Sequence, residues 1–151
     1  MYIIVFIIFI IAVLILSLLV YLNRSQKRLL REINELREPY DVEDFVRYFE
    51  ESDIHPDFVR LVHREILLSL GMEDFSIYPE DTLQSLGIEE DHMHTILMSV
   101  CQKLQLPYVT SDELTSFVNT HGEVERIHDL VVFLYYTKLL PLTVTENHLS
   151  A

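Results

Sequence analysis

From Met1 to Leu22 no side chain carries a charge, and Ser17 is the only small polar residue. A helix of that length rises about 33 Å, against a bilayer hydrocarbon core of about 30 Å. A transmembrane helix over residues 1–22 is therefore expected. A cleavable signal peptide would want a basic start, a shorter apolar stretch and a small-residue cleavage site. The opening "MYIIVF" has no Lys or Arg, and the span leaves through "LLVYLNRSQKR" with no A-x-A. The expectation is an uncleaved anchor.

The flanks set an orientation. Arg24, Lys27, Arg28 and Arg31 follow the span directly, and only the α-amino group precedes it. The positive-inside rule then places the N-terminus outside and the remainder in the cytoplasm, in the setting of a bacterial inner membrane. Residues 23–38 carry a net charge of +2 and the chain from Pro39 onward −15, together the −13 of the whole. So acidic a domain has little electrostatic reason to bind nucleic acid or to lie on anionic lipid. It suits a protein partner with a basic surface. One cysteine, Cys101, excludes an intrachain disulfide.

Beyond the anchor the apolar residues keep a helical period. Leu29, Leu30, Ile33 and Leu36 extend the first helix as a juxtamembrane stalk, residues 23–38, that stops before Pro39. Its stripe is expected to pack on its own domain, with self-association as the alternative. An all-helical domain over 39–140 follows. Asp41 is expected to cap a helix burying Val42, Phe45, Val46 and Phe49. The next starts after Pro56, with Asp57 as cap or first-turn acid, and carries Phe58, Leu61, Val62, Ile66 and Leu70 inward before Gly71. A loop, the short "TLQSL" turn and Gly87 lead to a helix from about Asp91 to Leu104, with Met93, Ile96, Leu97, Val100, Cys101 and Leu104 inward. "TSDELTSFV" reads as a short helix capped by Ser111 and broken at His121-Gly122. "EVERIHDLVVFLYYTKLL" reads as the last, closed by Pro141, with Tyr135-Tyr136 as packing residues. Residues 141–151 read as a loose tail.

The order of these elements resembles the acyl carrier protein fold over roughly Phe58 to Lys138. The matching residues are Ile77, Pro79, Thr82, Leu83, Leu86 and Gly87, then Val124, Ile127, Asp129, Leu130, Val131, Phe133 and Leu134. The resemblance implies a small four-helix bundle, here preceded by an extra helix that holds Phe45, Phe49 and Ile54. It also implies a serine, in an Asp-Ser-Leu after the Leu-Gly, that takes a phosphopantetheine arm. Here Leu86-Gly87 is followed by "IEEDHMHTI", which puts His92 or, without a gap, Glu90 at the attachment position. Neither can form the phosphodiester. The nearest hydroxyls, Ser85, Thr95 and Ser99, lie before the glycine or further along the helix; modification at one of them is the alternative reading.

The junction has other readings. His92 and His94 beside Glu89, Glu90 and Asp91 could suggest a metal, but helical residues two apart point about 200° apart, and zinc helices use a spacing of four. A hydrolytic site would need a nucleophile and an oxyanion hole, and nothing nearby supplies both. His63 and His128 read as surface or hydrogen-bonded histidines. The carboxylates fit the N-cap and first turn of a helix, where they meet free N–H groups and the positive end of the dipole. In carriers the same acidic helix is the docking face for basic partners, so the resemblance implies Glu89, Glu90, Asp91, His92 and His94 as a docking surface, which the histidines would make pH-sensitive. The sequence thus leads to a membrane-anchored, non-catalytic domain without cofactor or metal, acting in protein–protein interaction. A scaffold working through anchor and stalk alone is the remaining alternative.

Overall fold

The computed structural model describes the chain from Tyr2 to Leu139, so the expected close at Pro141 and the tail lie outside the described residues. The regular elements among the described residues are all helices, with no strand. The chain separates into two compact units, Met1–Arg37 and Glu38–Ala151.

The first unit is one helix, α1 (Tyr2–Glu35). It is long and apolar enough to cross a membrane, with a mean hydropathy of 3.3 in its most apolar window and none of that window buried. A core helix of a water-soluble domain would instead hide one face. The helix runs unbroken from the apolar run into the charged segment. Arg24, Lys27, Arg28 and Arg31 stand at spacings of three and four, so they share one face just beyond the apolar stretch.

The second unit begins with α2 (Val42–Tyr48), closed by a capping box. The Asp41 carboxylate accepts from the N–H groups of Glu43 at 2.8 Å and Asp44 at 2.9 Å, and Asp44 returns a bond to the Asp41 N–H. The helix buries Phe45 and Val46, followed by Phe49, whereas Val42 stays half-buried. After a 3₁₀ turn, Glu50–Ser52, comes α3 (Pro56–Leu70). Its cap is His55, whose Nδ1 accepts from the Asp57 N–H; Asp57 itself sits in the first turn and does not cap. Proline at the first helical position loses no bond, because that N–H has no acceptor in any helix. Gly71 ends α3 at φ 62°, the left-handed geometry that a side chain would strain. Phe58, Val59, Val62, Ile66 and Leu70 form the buried face, with Leu61 half-buried. α3 packs on both α2 and α4 (Glu90–Lys103).

The segment between α3 and α4 has no helix, yet it is a core element. Phe75, Ile77, Leu83, Leu86 and Ile88 are all buried. Part of its backbone bonds to the residues at the start of the last helix in a strand-like approach. The Leu83 N–H donates to Glu125 O at 2.8 Å, Ile127 N–H to Asp81 O at 3.0 Å and His128 N–H to Pro79 O at 2.9 Å. Thr82 and Arg126 form an isolated antiparallel bridge. The two motif stretches that carry the carrier resemblance are therefore bonded to each other.

That pairing shortens the last helix. Glu123–Arg126 were expected inside it but run extended, and α6 (Ile127–Leu134) starts only where the bridge ends. The Asp129 carboxylate accepts from the N–H groups of Glu125 and Arg126 and closes its N-terminus. A π turn, Tyr135–Leu139, follows. α5 (Ser111–His121) is capped by Thr110 rather than Ser111, in a capping box with Glu113. Phe117 of α5 meets Phe133 of α6 edge-on, ring centres 5.0 Å apart.

Candidate functional site

The acidic junction is placed by a closed turn. The Ile88 N–H donates back to Leu83 O at 2.8 Å, and Gly87 adopts φ 68° inside the turn, a conformation open to glycine at little cost. Leu86 and Ile88 are pulled into the core by this turn. The chain leaves it extended at Glu89, the N-cap of α4, and the helix begins at Glu90, one residue before the expected start.

Glu89, Glu90, Asp91, His92 and His94 are all exposed. Position agrees with a helix start, but the expected capping does not occur: the side chain of the N-cap Glu89 makes no cap bond to a described residue of α4. The contrast within the chain is informative. Asp41, Thr110 with Glu113, and Asp129 all spend their oxygens on helix N-termini. The α4 start, as acidic as that of α2, has no such bond from its N-cap Glu89. Ion pairs join Arg47 to Asp44, Arg60 to Glu43 and Asp57, His55 to Asp57, and Lys103 to Glu65, and none of these reaches the α4 turn. Three carboxylates thus face solvent without a cation partner among the described residues. Beside them a cavity of about 510 Å³ is lined by Thr82, Leu83, Gly87, Ile88, Glu89 and Val124 among others.

His92 and His94 lie on one helix two residues apart, the spacing that separates their rings, and no metal-holding group of three or more His, Cys, Asp or Glu occurs among the described residues. His92 and Glu90, the two positions expected at an attachment site, are on the surface. Each nearby hydroxyl is already donating. Ser85 Oγ bonds Thr82 O at 2.8 Å, Thr95 Oγ1 bonds Asp91 O at 2.9 Å, and Ser99 Oγ bonds Glu65 Oε2 at 2.5 Å. Of the inward residues expected in α4, Ile96, Leu97, Val100 and Cys101 are buried, while Met93 and Leu104 are half-buried.

Two features of α3 escaped the sequence reading. Glu65 is only 4% exposed, and its carboxylate accepts from Ser99 Oγ and Lys103 Nζ of α4. Burial by itself raises its pKa, but the Lys103 and Ser99 donors together outweigh that and hold the carboxyl below its ordinary range. The signal was present as a carboxylate on an otherwise apolar helix face, which requires a partner. His63, expected at the surface or hydrogen-bonded, is instead 6% exposed against Phe45, ring centres 4.8 Å apart, and its Nε2 has no hydrogen-bond partner among the described residues. Burial lowers its pKa and keeps the ring neutral. His128 is half-buried, stacked on Phe49 at 5.5 Å, and its Nδ1 is likewise unpartnered.

Comparison with family models, curated proteins and solved structures finds no match for this chain.

Proposed function

We propose that this chain is a membrane-anchored, non-catalytic, carrier-like module that recruits a basic protein partner to the cytoplasmic face of the membrane, a bacterial inner membrane in the setting read from the sequence. The supporting observation is the state of the α4 turn. Its three carboxylates neither cap their helix nor pair with a cation among the described residues, so their charge is available to a partner. In this reading α1 is the anchor, its basic face of Arg24, Lys27, Arg28 and Arg31 keeps the second unit inside, and Glu89, Glu90 and Asp91 with His92 and His94 make the docking contact. Electrostatic docking of this kind acts first on association rate and weakens with salt.

The test uses the full chain in nanodiscs. Reversing Glu89, Glu90 and Asp91 to lysine is expected to abolish capture of a purified basic partner domain while leaving the helical circular dichroism in place. Unchanged capture would return the function to anchor and stalk. A parallel incubation with coenzyme A and a broad-specificity phosphopantetheinyl transferase is expected to leave the intact mass unchanged; a gain of one phosphopantetheine would make the domain a carrier.

A further inference from the structure

A second surface of the same unit combines an apolar recess with unneutralised acid, and it lies outside the α4 turn. Ile54, Phe58, Leu104 and Tyr135 line a cavity of about 690 Å³, with Glu50, Asp53 and Asp57 among the other lining residues. Ile54 and Phe58 are each 4% exposed and form a fixed floor, while Leu104 and Tyr135 are half-buried and still offer apolar area. Tyr135 holds the recess together: its ring packs on Phe58 at 5.8 Å and its hydroxyl donates to Asp53 O at 3.2 Å.

The rim is anionic. Asp57 shares Arg60 with Glu43, and His55 lies 3.9 Å from it. Glu50 and Asp53 are exposed, and neither forms an ion pair with any described residue. The backbone there is held in a costly shape. Among the described residues, the non-glycine residues with positive φ are Asp53 and Gln105, both at 55°, and they sit at the 3₁₀ turn and directly after Leu104. Such conformations persist where the surrounding structure fixes them.

From this complementarity we infer that the recess is a docking groove for a short amphipathic segment of a partner protein, one or two leucine-like or aromatic side chains entering over Ile54, Phe58 and Leu104 while flanking lysines or arginines meet Glu50 and Asp53. Each half of that pattern answers one half of the site. A purely apolar ligand would leave the carboxylates uncompensated, and an anionic lipid or nucleic acid would be repelled. A large side chain buried in a pocket inside a polar rim is the usual anatomy of an interaction hot spot. The inference stands apart from the α4 docking turn and does not need it.

The test is fluorescence polarisation on the full chain in nanodiscs with a labelled synthetic helical peptide, leucines on one face and lysines on the other. Glu50→Gln with Asp53→Asn removes two rim charges, and asparagine tolerates the left-handed backbone. This pair is expected to weaken the peptide at least tenfold. The same charge change elsewhere, Asp112→Asn with Glu123→Gln, is expected to alter affinity less than threefold, as is Glu89→Gln with Asp91→Asn. Replacing the peptide's leucines with serine is expected to abolish binding. Equal weakening by all three charge-neutralising pairs would mean diffuse attraction to an acidic protein and overturn the groove. Loss confined to the α4 pair would overturn it also, and would move this peptide to the α4 turn. Retained affinity of the serine peptide would remove the apolar half of the inference.

Discussion

Removing the ammonium from Lys103 is the sharpest test of how the two central helices are held together. Glu65 and Lys103 join α3 to α4, with Ser99 as the second donor to the same carboxylate. Breaking a fully buried pair from one side costs about 3–5 kcal/mol, because a charge is left in a poorly solvating site, whereas exposed pairs are worth about 0–1 kcal/mol. This pair lies between: the Glu65 side chain is 4% exposed and that of Lys103 is 40% exposed. Lys103→Met is therefore expected to cost about 2 kcal/mol, with Ser99 keeping part of the carboxylate's solvation. For a domain of this size that is a fall in Tm on the order of 8 °C. The triple replacement Glu65→Met, Ser99→Ala, Lys103→Met removes the charge together with its partners and should recover at least about 1 kcal/mol over Lys103→Met alone. Urea unfolding of the full chain in detergent, followed by tyrosine near-UV circular dichroism, measures both; the chain has no tryptophan. Glu65 also gives the fold a pH dependence. The folded Glu65 carboxyl titrates below its unfolded value, so its contribution is complete above the unfolded pKa, about 4.3, and is lost as pH falls through the lower folded value. A Lys103→Met cost under about 0.5 kcal/mol, or a triple variant no more stable than the single, would refute this account.

Two further outcomes follow from α2 and α3. His63→Leu removes an unpartnered buried nitrogen and should stabilise the fold by about 1 kcal/mol at neutral pH; because burial lowers the His63 pKa, its neutral form supports folding above the unfolded value near 6.5 and that support is lost as pH falls through the folded value, so the variant should also flatten the acid limb between pH 6.5 and the Glu65 transition. Asp41→Ala deletes both cap bonds of α2 and should cost about 1 kcal/mol by the same urea assay, with asparagine restoring most of it.

The elements that could be read from the chain are those set by neighbours in sequence. The uncharged run to Leu22 defines α1 with no other information, since it concerns only side-chain transfer and helix rise. Asp41 as a cap, Gly71 as a stop and the apolar stripes of α2, α3 and α4 are equally local, and the helices formed within a residue or two of where period and punctuation placed them. Thr110 against Ser111 shows the limit of local reading: both hydroxyls can cap, and the geometry of one turn chose between them.

The remainder was decided across distance. Glu123–Arg126 has helix-forming residues, yet its backbone pairs with Thr82 and Leu83, some forty positions away, and bonds made there are unavailable to a helix. Glu65 finds its partners 34 and 38 residues along, and His63 is enclosed beside Phe45 of another helix. The acidic turn divides the same way. Its location at the start of α4 was written in the sequence, because Gly87 and the following period announce a helix N-terminus. That its carboxylates face water instead of closing that helix, and that a second acidic rim surrounds an apolar recess drawn from three separate stretches, arises only when the chain is packed. Periodicity and capping are properties of a few adjacent residues, whereas solvation of a charge depends on everything the fold brings within reach of it.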